Sequence, residues 1–285
     1  MSGLALIMVL ISSITQPYWN YLAKKTNGDI PFIWLTYVAG SIFLLPFFVW
    51  TILTTPVDFS GIAVIIVLTS GTLRLSYFII LQTGYRKADL SVVYPIARGS
   101  APFFSTLGAT LILHEKMTLF SLSGLILITG GVLVITNPKI SSIDPQRKRG
   151  LLFGIAAGLI ISLYTLWDKV AVSTYQLSPF LLTFASNCLG AVSLAPFALR
   201  KKKELKREIR IHKWPVIAVA ILSPLSYLLV LFAMKTTPVI YIAPARELSI
   251  VFAVVMGQQL MAEPDKKRRL LGALFIVGGV VSLTI

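Results

Sequence analysis

Six ionisable residues fall inside long apolar stretches of this sequence: Arg74, Arg98, Lys169 and Arg246 as cations, Asp168 and Glu247 as acids. In a hydrocarbon environment such side chains are costly, and they face a bundle interior or an aqueous cavity. Arginine carries a planar fork that grips a carboxylate, phosphate or phosphonate at two points. Three arginines against two acids leave surplus positive charge, which suits a ligand with an anionic group. Glu247 or Asp168 would meet an amine on the same ligand. These two acids are also the candidates for proton coupling, because burial acts on the charged form of a carboxyl group. Arg246 and Glu247 are neighbours, so on a helix they point about 100° apart and each needs another partner. Pro95 and Pro244 lie two or three residues before Arg98 and Arg246. Each proline removes one helical hydrogen bond and frees a carbonyl, so an interrupted helix is expected beside each arginine.

Other chemistry has little support. There is no Gly-rich phosphate loop of the G-x-x-x-x-G-K-[ST] type, no H-E-x-x-H and no G-x-S-x-G. His114 and His212 read as loop or helix-end residues and, with one cysteine, make no metal site. No metal, cofactor or enzymatic activity is expected. Cys188 reads as a small buried hydrophobe.

The elements that must hold these residues follow from composition. The chain has 285 residues, 56% apolar and 13% charged, with a mean hydropathy of +0.82. Soluble domains carry roughly twice that share of charge. The apolar residues gather into ten blocks, near 3–23, 31–53, 61–83, 90–113, 118–137, 150–173, 179–199, 214–234, 238–261 and 269–285. About 20 apolar residues span a bilayer core as a helix, so an all-α polytopic membrane protein with ten transmembrane helices is predicted. The first block lacks a basic leader and a cleavage site, and is read as a retained helix.

The net charge of +15 is a topology signal. Twenty of the 26 Lys and Arg residues fall in the links after blocks 1, 3, 5, 7 and 9, while Lys116 and Lys235 stand on the opposite side. The positive-inside rule makes the basic side cytoplasmic and places both termini outside the cytoplasmic (inner) membrane. Nucleic acid is not an expected partner. The stretch RKKKELKREIRIHK reads as part of this topology anchor, with anionic lipid as its alternative partner.

At an offset of 148 the two halves coincide: Trp19 with Trp167, Ala97-Arg98 with Ala245-Arg246, Glu115 with Glu263, and Gly130-Gly131 with Gly278-Gly279. Leu75-Ser76-Tyr77 meets Leu225-Ser226-Tyr227 at an offset of 150. This is an internal repeat: residues 1–137, a linker 138–149, and residues 150–285. An odd number of helices per repeat inverts the second copy, an architecture typical of secondary transporters with a midplane site.

The segment VVYPIARGSAPFFSTLGATLILHEKMTLFSLSGLILITGGVLVI resembles the EamA family of the drug/metabolite transporter superfamily. That family's usual Gly-Glu-basic turn after the fourth helix of each repeat reads here His114-Glu115-Lys116 and Ala262-Glu263-Pro264. Both copies keep the acid and lose the glycine. The resemblance implies a ten-helix transporter of amino acids, other metabolites, sugars or drugs. PYWNYLAKK, VYPIARG and PARELSIVF look like a bacterial subgroup associated with phosphonate use. Relatives are often drawn with cytoplasmic termini, the reverse of the charge count here.

The expected substrate is a small anionic or zwitterionic metabolite, such as an amino acid or aminophosphonate, with a proton or exchange substrate as coupling partner. The alternatives are a lipid- or nucleotide-linked sugar, or a non-transporting scaffold. Candidate substrate contacts are Arg98, Arg246, Glu247, Arg74, Trp19 and Trp167. Asp168 and Glu247 are candidates for coupling or ion pairing. Glu115, Glu263, Pro95 and Pro244 are read as gating or structural residues, and Gly150, Gly154 and Gly158 as a packing or sliding surface. Membrane lipid is an expected partner, in a monomer or homodimer.

Overall fold

The computed structural model describes all residues except 27–28, 56–59, 89, 137–144, 262–265 and 284–285. Twelve helices follow one another among the described residues: α1 (Gly3–Lys25), α2 (Ile30–Thr54), α3 (Gly61–Lys87), α4 (Leu90–Ile112), α5 (Leu119–Thr136), α6 (Pro145–Ser173), α7 (Pro179–Arg200), α8 (Lys202–Ile211), α9 (Lys213–Thr236), α10 (Val239–Ala245), α11 (Leu248–Met261) and α12 (Lys266–Ser282). Six stretches, among them α2, α7 and α9, are long and apolar enough to cross a membrane. Lipid leaves backbone groups no external partner, so helices that satisfy their own are the form these sequences take.

Three departures from the sequence-based expectation stand out. The apolar block 238–261 is two helices, α10 and α11, with Arg246 and Glu247 in the turn between them. The basic link after α7 is itself the helix α8. Part of the expected linker, Pro145–Arg149, is the first turn of α6.

Local chemistry sets several ends. Asp29 caps α2 by accepting from the Ile30 amide at 2.8 Å. Ser60 caps α3 by accepting from the Ala63 amide. His114 ends α4 at φ 54°, in the left-handed region where L residues are rare. The Glu115 amide reaches back six residues to the Ala109 carbonyl at 3.1 Å, which also accepts from the Leu113 amide. Here histidine adopts the conformation without glycine's freedom.

The two repeats meet through glycines. A Cβ on Gly131 would stand 2.6 Å from the Gly272 carbonyl, and one on Gly272 would stand 2.6 Å from the Gly131 carbonyl. Gly124 and Gly279 face each other the same way, at 2.8 and 2.7 Å. Contacts of 124 with 279 and 131 with 272 run α5 and α12 antiparallel. They are also reciprocal under the 148-residue offset, the signature of a two-fold relation. A second glycine face, Gly150, Gly154 and Gly158 of α6, meets Val92, Ile96 and Ser100 of α4 in rising order, so these helices run parallel. The main apolar core gathers Val9, Ile128, Val132, Leu182, Leu231 and Ile276 from α1, α5, α7, α9 and α12.

Candidate functional site

Two charge clusters lie where the helices of the two halves meet. In the first, Asp168 of α6 is fully buried and accepts three hydrogen bonds: from Ser70 Oγ and Arg74 Nη2 on α3, the latter at 2.7 Å, and from the Tyr227 hydroxyl on α9 at 2.6 Å. Three donors on one carboxylate offset the cost of burying it. The Arg74 guanidinium lies 4.0 Å from the Tyr227 ring centroid, a cation–π contact. Tyr164 stands between Tyr77 and Tyr227, with ring centroids 6.2 Å from each.

The second cluster surrounds the break between α10 and α11. Arg98 of α4 reaches across with Nη2 3.0 Å from Glu247 Oε2, and donates to Ser249 Oγ at 3.1 Å. Both side chains are deeply buried. Arg98 and Glu247 thus join the first half of the chain to the second. Arg246 makes no ion pair among the described residues. Its guanidinium lies 5.5 Å from the Tyr227 ring centroid, and its Nε is buried with no hydrogen-bond partner. Tyr227 therefore touches both clusters. A narrow cavity opens here, lined by Arg98, Ala101, Pro102 and Ser105 of α4, Ile161 and Thr165 of α6, Ala243, Arg246 and Glu247. It has room for about one water molecule.

The backbone explains the break. Pro244 has no amide to give the Ile240 carbonyl. From Glu247 onward the bonds tighten to a three-residue reach: Glu247 to Pro244, Ser249 to Arg246, Ile250 to Glu247. In the first half the expected interruption is absent, since α4 runs unbroken through Pro95 and Arg98. The expected partner for Arg246 is likewise absent among the described residues; the two acids are taken by Arg74 and Arg98.

The other sequence-predicted residues are dispersed. Trp19 packs beside Phe32, Val216 and Val219, away from the cavity. Trp167 donates Nε1 to the Ile66 carbonyl at 3.0 Å and lies against the main core. Lys169 donates to the carbonyls of Met234 and Thr237, at the end of α9. Glu115 accepts from the amides of Val239 and Ile240, at 2.9 and 3.0 Å, and so caps α10. Glu263 lies outside the described residues. Ser70, Tyr164 and Tyr227 were not among the predicted site residues. Tyr77 and Tyr227 did stand out as a repeat pair, and that match was the signal for them.

The EamA-like transporter family matches residues 2–137 and again 148–285. The chain belongs to this family. The EamA-like chain is therefore a multi-pass membrane protein of the drug/metabolite transporter superfamily, built from two repeats, in a family of transporters. No curated protein matches it. A crystal structure of a protein that is 15% identical superimposes with a TM-score of 0.77, over 100% of this chain and 97% of the other. At that identity the likeness is one of fold.

Proposed function

We propose that this protein is a secondary transporter of a small anionic or zwitterionic metabolite, of the amino acid or aminophosphonate class, across the cytoplasmic membrane. One observation carries the reading. Of the three arginines of the two clusters, two are paired with buried acids, and Arg246 lines the inter-repeat cavity with no ion pair among the described residues. An anionic group of the substrate supplies the missing charge, with the guanidinium fork as its seat. Arg98 forms the opposite wall, and its partner Glu247 is the acid an amine would meet.

Coupling falls to Glu247 rather than Asp168. Asp168 already accepts from three donors, and a proton there would displace one of them. Among the described residues Glu247 has one ion-pair partner, Arg98. The architecture of this reading is ten membrane spans, with α10 and α11 as one broken span and α8 outside the bilayer. Residues 1–137 and 150–285 form two inverted five-helix repeats joined by the link 138–149. The antiparallel α5–α12 contact supports the inversion. Both termini lie outside. Access alternates between the two faces as one repeat rocks against the other.

The test is saturable uptake into proteoliposomes from a panel of amino acids and aminophosphonates. Flux by the protein alone, competed by the anionic compounds and insensitive to neutral analogues, is the expected result. Absence of flux for the whole panel would sink the substrate class.

A further inference from the structure

The basic helix α8 has no part in the transport site, and its side chains are disposed for a different partner. It joins α7 to α9, both apolar enough to cross a membrane, so its ten residues lie within about 15 Å of a span end. None of its residues is buried. At 100° per residue Lys203, Lys206, Arg207 and Arg210 occupy one arc about 100° wide. All four are exposed.

The acids of the helix are occupied elsewhere. Glu204 pairs with Lys201 at 3.1 Å, and Glu208 pairs with His212 at 2.7 Å. Lys201 also binds Asp29 at 2.6 Å, which ties the start of α8 to the cap of α2. Ile209 and Ile211 flank the basic arc, 53% and 61% exposed, and Trp214 follows at 76%. Exposed isoleucines beside lysines and arginines, with a tryptophan at the next helix start, suit the boundary between acyl chains and headgroups.

We propose that α8 and the first turn of α9 form a binding shelf for anionic phospholipid. The phosphates seat on the basic arc, and Ile209 and Trp214 enter the acyl boundary. The shelf is held in register by the Asp29–Lys201 pair.

The experiment is thermal melting of the full chain in neutral detergent, titrated with phosphatidylglycerol or phosphatidylcholine. Four proteins are compared: the wild type, K203Q/K206Q/R207Q/R210Q, the milder K206Q/R207Q, and K25Q/K87Q/K148Q/R149Q as a control with equal charge loss. The wild type and control should be stabilised by phosphatidylglycerol, and not by phosphatidylcholine. The α8 quadruple variant should need more than about tenfold more phosphatidylglycerol for the same shift. The double variant should fall between, and it carries the test if the quadruple variant does not fold. Salt at about 0.5 M should abolish the preference. Equal phosphatidylglycerol response in all four proteins would overturn the proposal. So would a response lost equally in the control, or one reproduced by inorganic phosphate alone.

Discussion

The helices α4 and α10–α11 occupy equivalent places in the two repeats, and only one of them is broken. Each carries a proline as its sixth residue, Pro95 in α4 and Pro244 in α10, followed by an arginine. Proline alone therefore does not decide the outcome; the neighbouring helix does. The backbone of α4 lies on the glycine face of α6, where a Cβ at Gly154 would stand 2.9 Å from the Val93 carbonyl, and one at Gly158 3.0 Å from the Ala97 carbonyl. The residues that match Gly150, Gly154 and Gly158 at the repeat offset are Ser2, just before α1, and Leu6 and Leu10 within it. With leucines there, α1 packs closely along α11 rather than α10, and the turn at Arg246–Glu247 remains. The result is one arginine on a straight helix, paired with Glu247, and one at a break, with no ion pair among the described residues.

The largest test of this comparison removes the anchor that both arginine clusters share through Tyr227. Replacing Asp168 by alanine leaves Arg74 buried without its acid and strands the Ser70 and Tyr227 hydroxyls. A loss of about 3–5 kcal/mol is expected, read as a collapse of the melting temperature in detergent. Next in size is Gly158→Leu, which gives α6 the side chain that α1 carries at Leu10. Overpacking should cost about 1–3 kcal/mol, and amide exchange should rise in α4 around Arg98. Unchanged exchange there would detach the straightness of α4 from the glycine face.

Glu115→Ala takes the acceptor from the Val239 and Ile240 amides. It should cost about 1 kcal/mol, with faster exchange confined to α10. His114→Gly relieves the left-handed backbone that ends α4, and a gain of about 0.5–1 kcal/mol is expected in the same melting assay. The smallest effect is at Asp29–Lys201. The Lys201 hydrogen bond holds the Asp29 carboxyl below the usual aspartate range. The pair's contribution is thus complete above the ordinary aspartate pKa of about 3.9, and is lost only as pH falls through the lowered value. Asp29→Asn should leave the melting temperature almost unchanged at neutral pH, because exposed pairs contribute little.

Much of this was legible in the sequence. The apolar blocks mark the helices, because length and hydropathy are local properties. The repeat and the charge excess are visible for the same reason, since they need only residue identity and spacing. The partner of each charge is not local. Two acids and three arginines can be paired in several ways, and only the packing of α3 on α6 and of α4 on the α10–α11 turn selects Arg74 with Asp168 and Arg98 with Glu247. The unequal fate of two similar prolines depended on which helix lay behind each. Tyr227 was visible as a repeat match, but its place between Arg74 and Arg246 needed three dimensions. The helix in the basic link was hidden because its charge explained it fully as a topology signal.

In the proposed function Arg246 seats the anionic group of the substrate. The most direct measurement is substrate uptake into proteoliposomes by the wild type, Arg246→Ala and Arg246→Lys at equal amounts of folded protein. Uptake should be abolished in the alanine variant. In the lysine variant it should be weakened but retained, since the charge remains and the two-point fork is gone. Wild-type uptake by Arg246→Ala would contradict it.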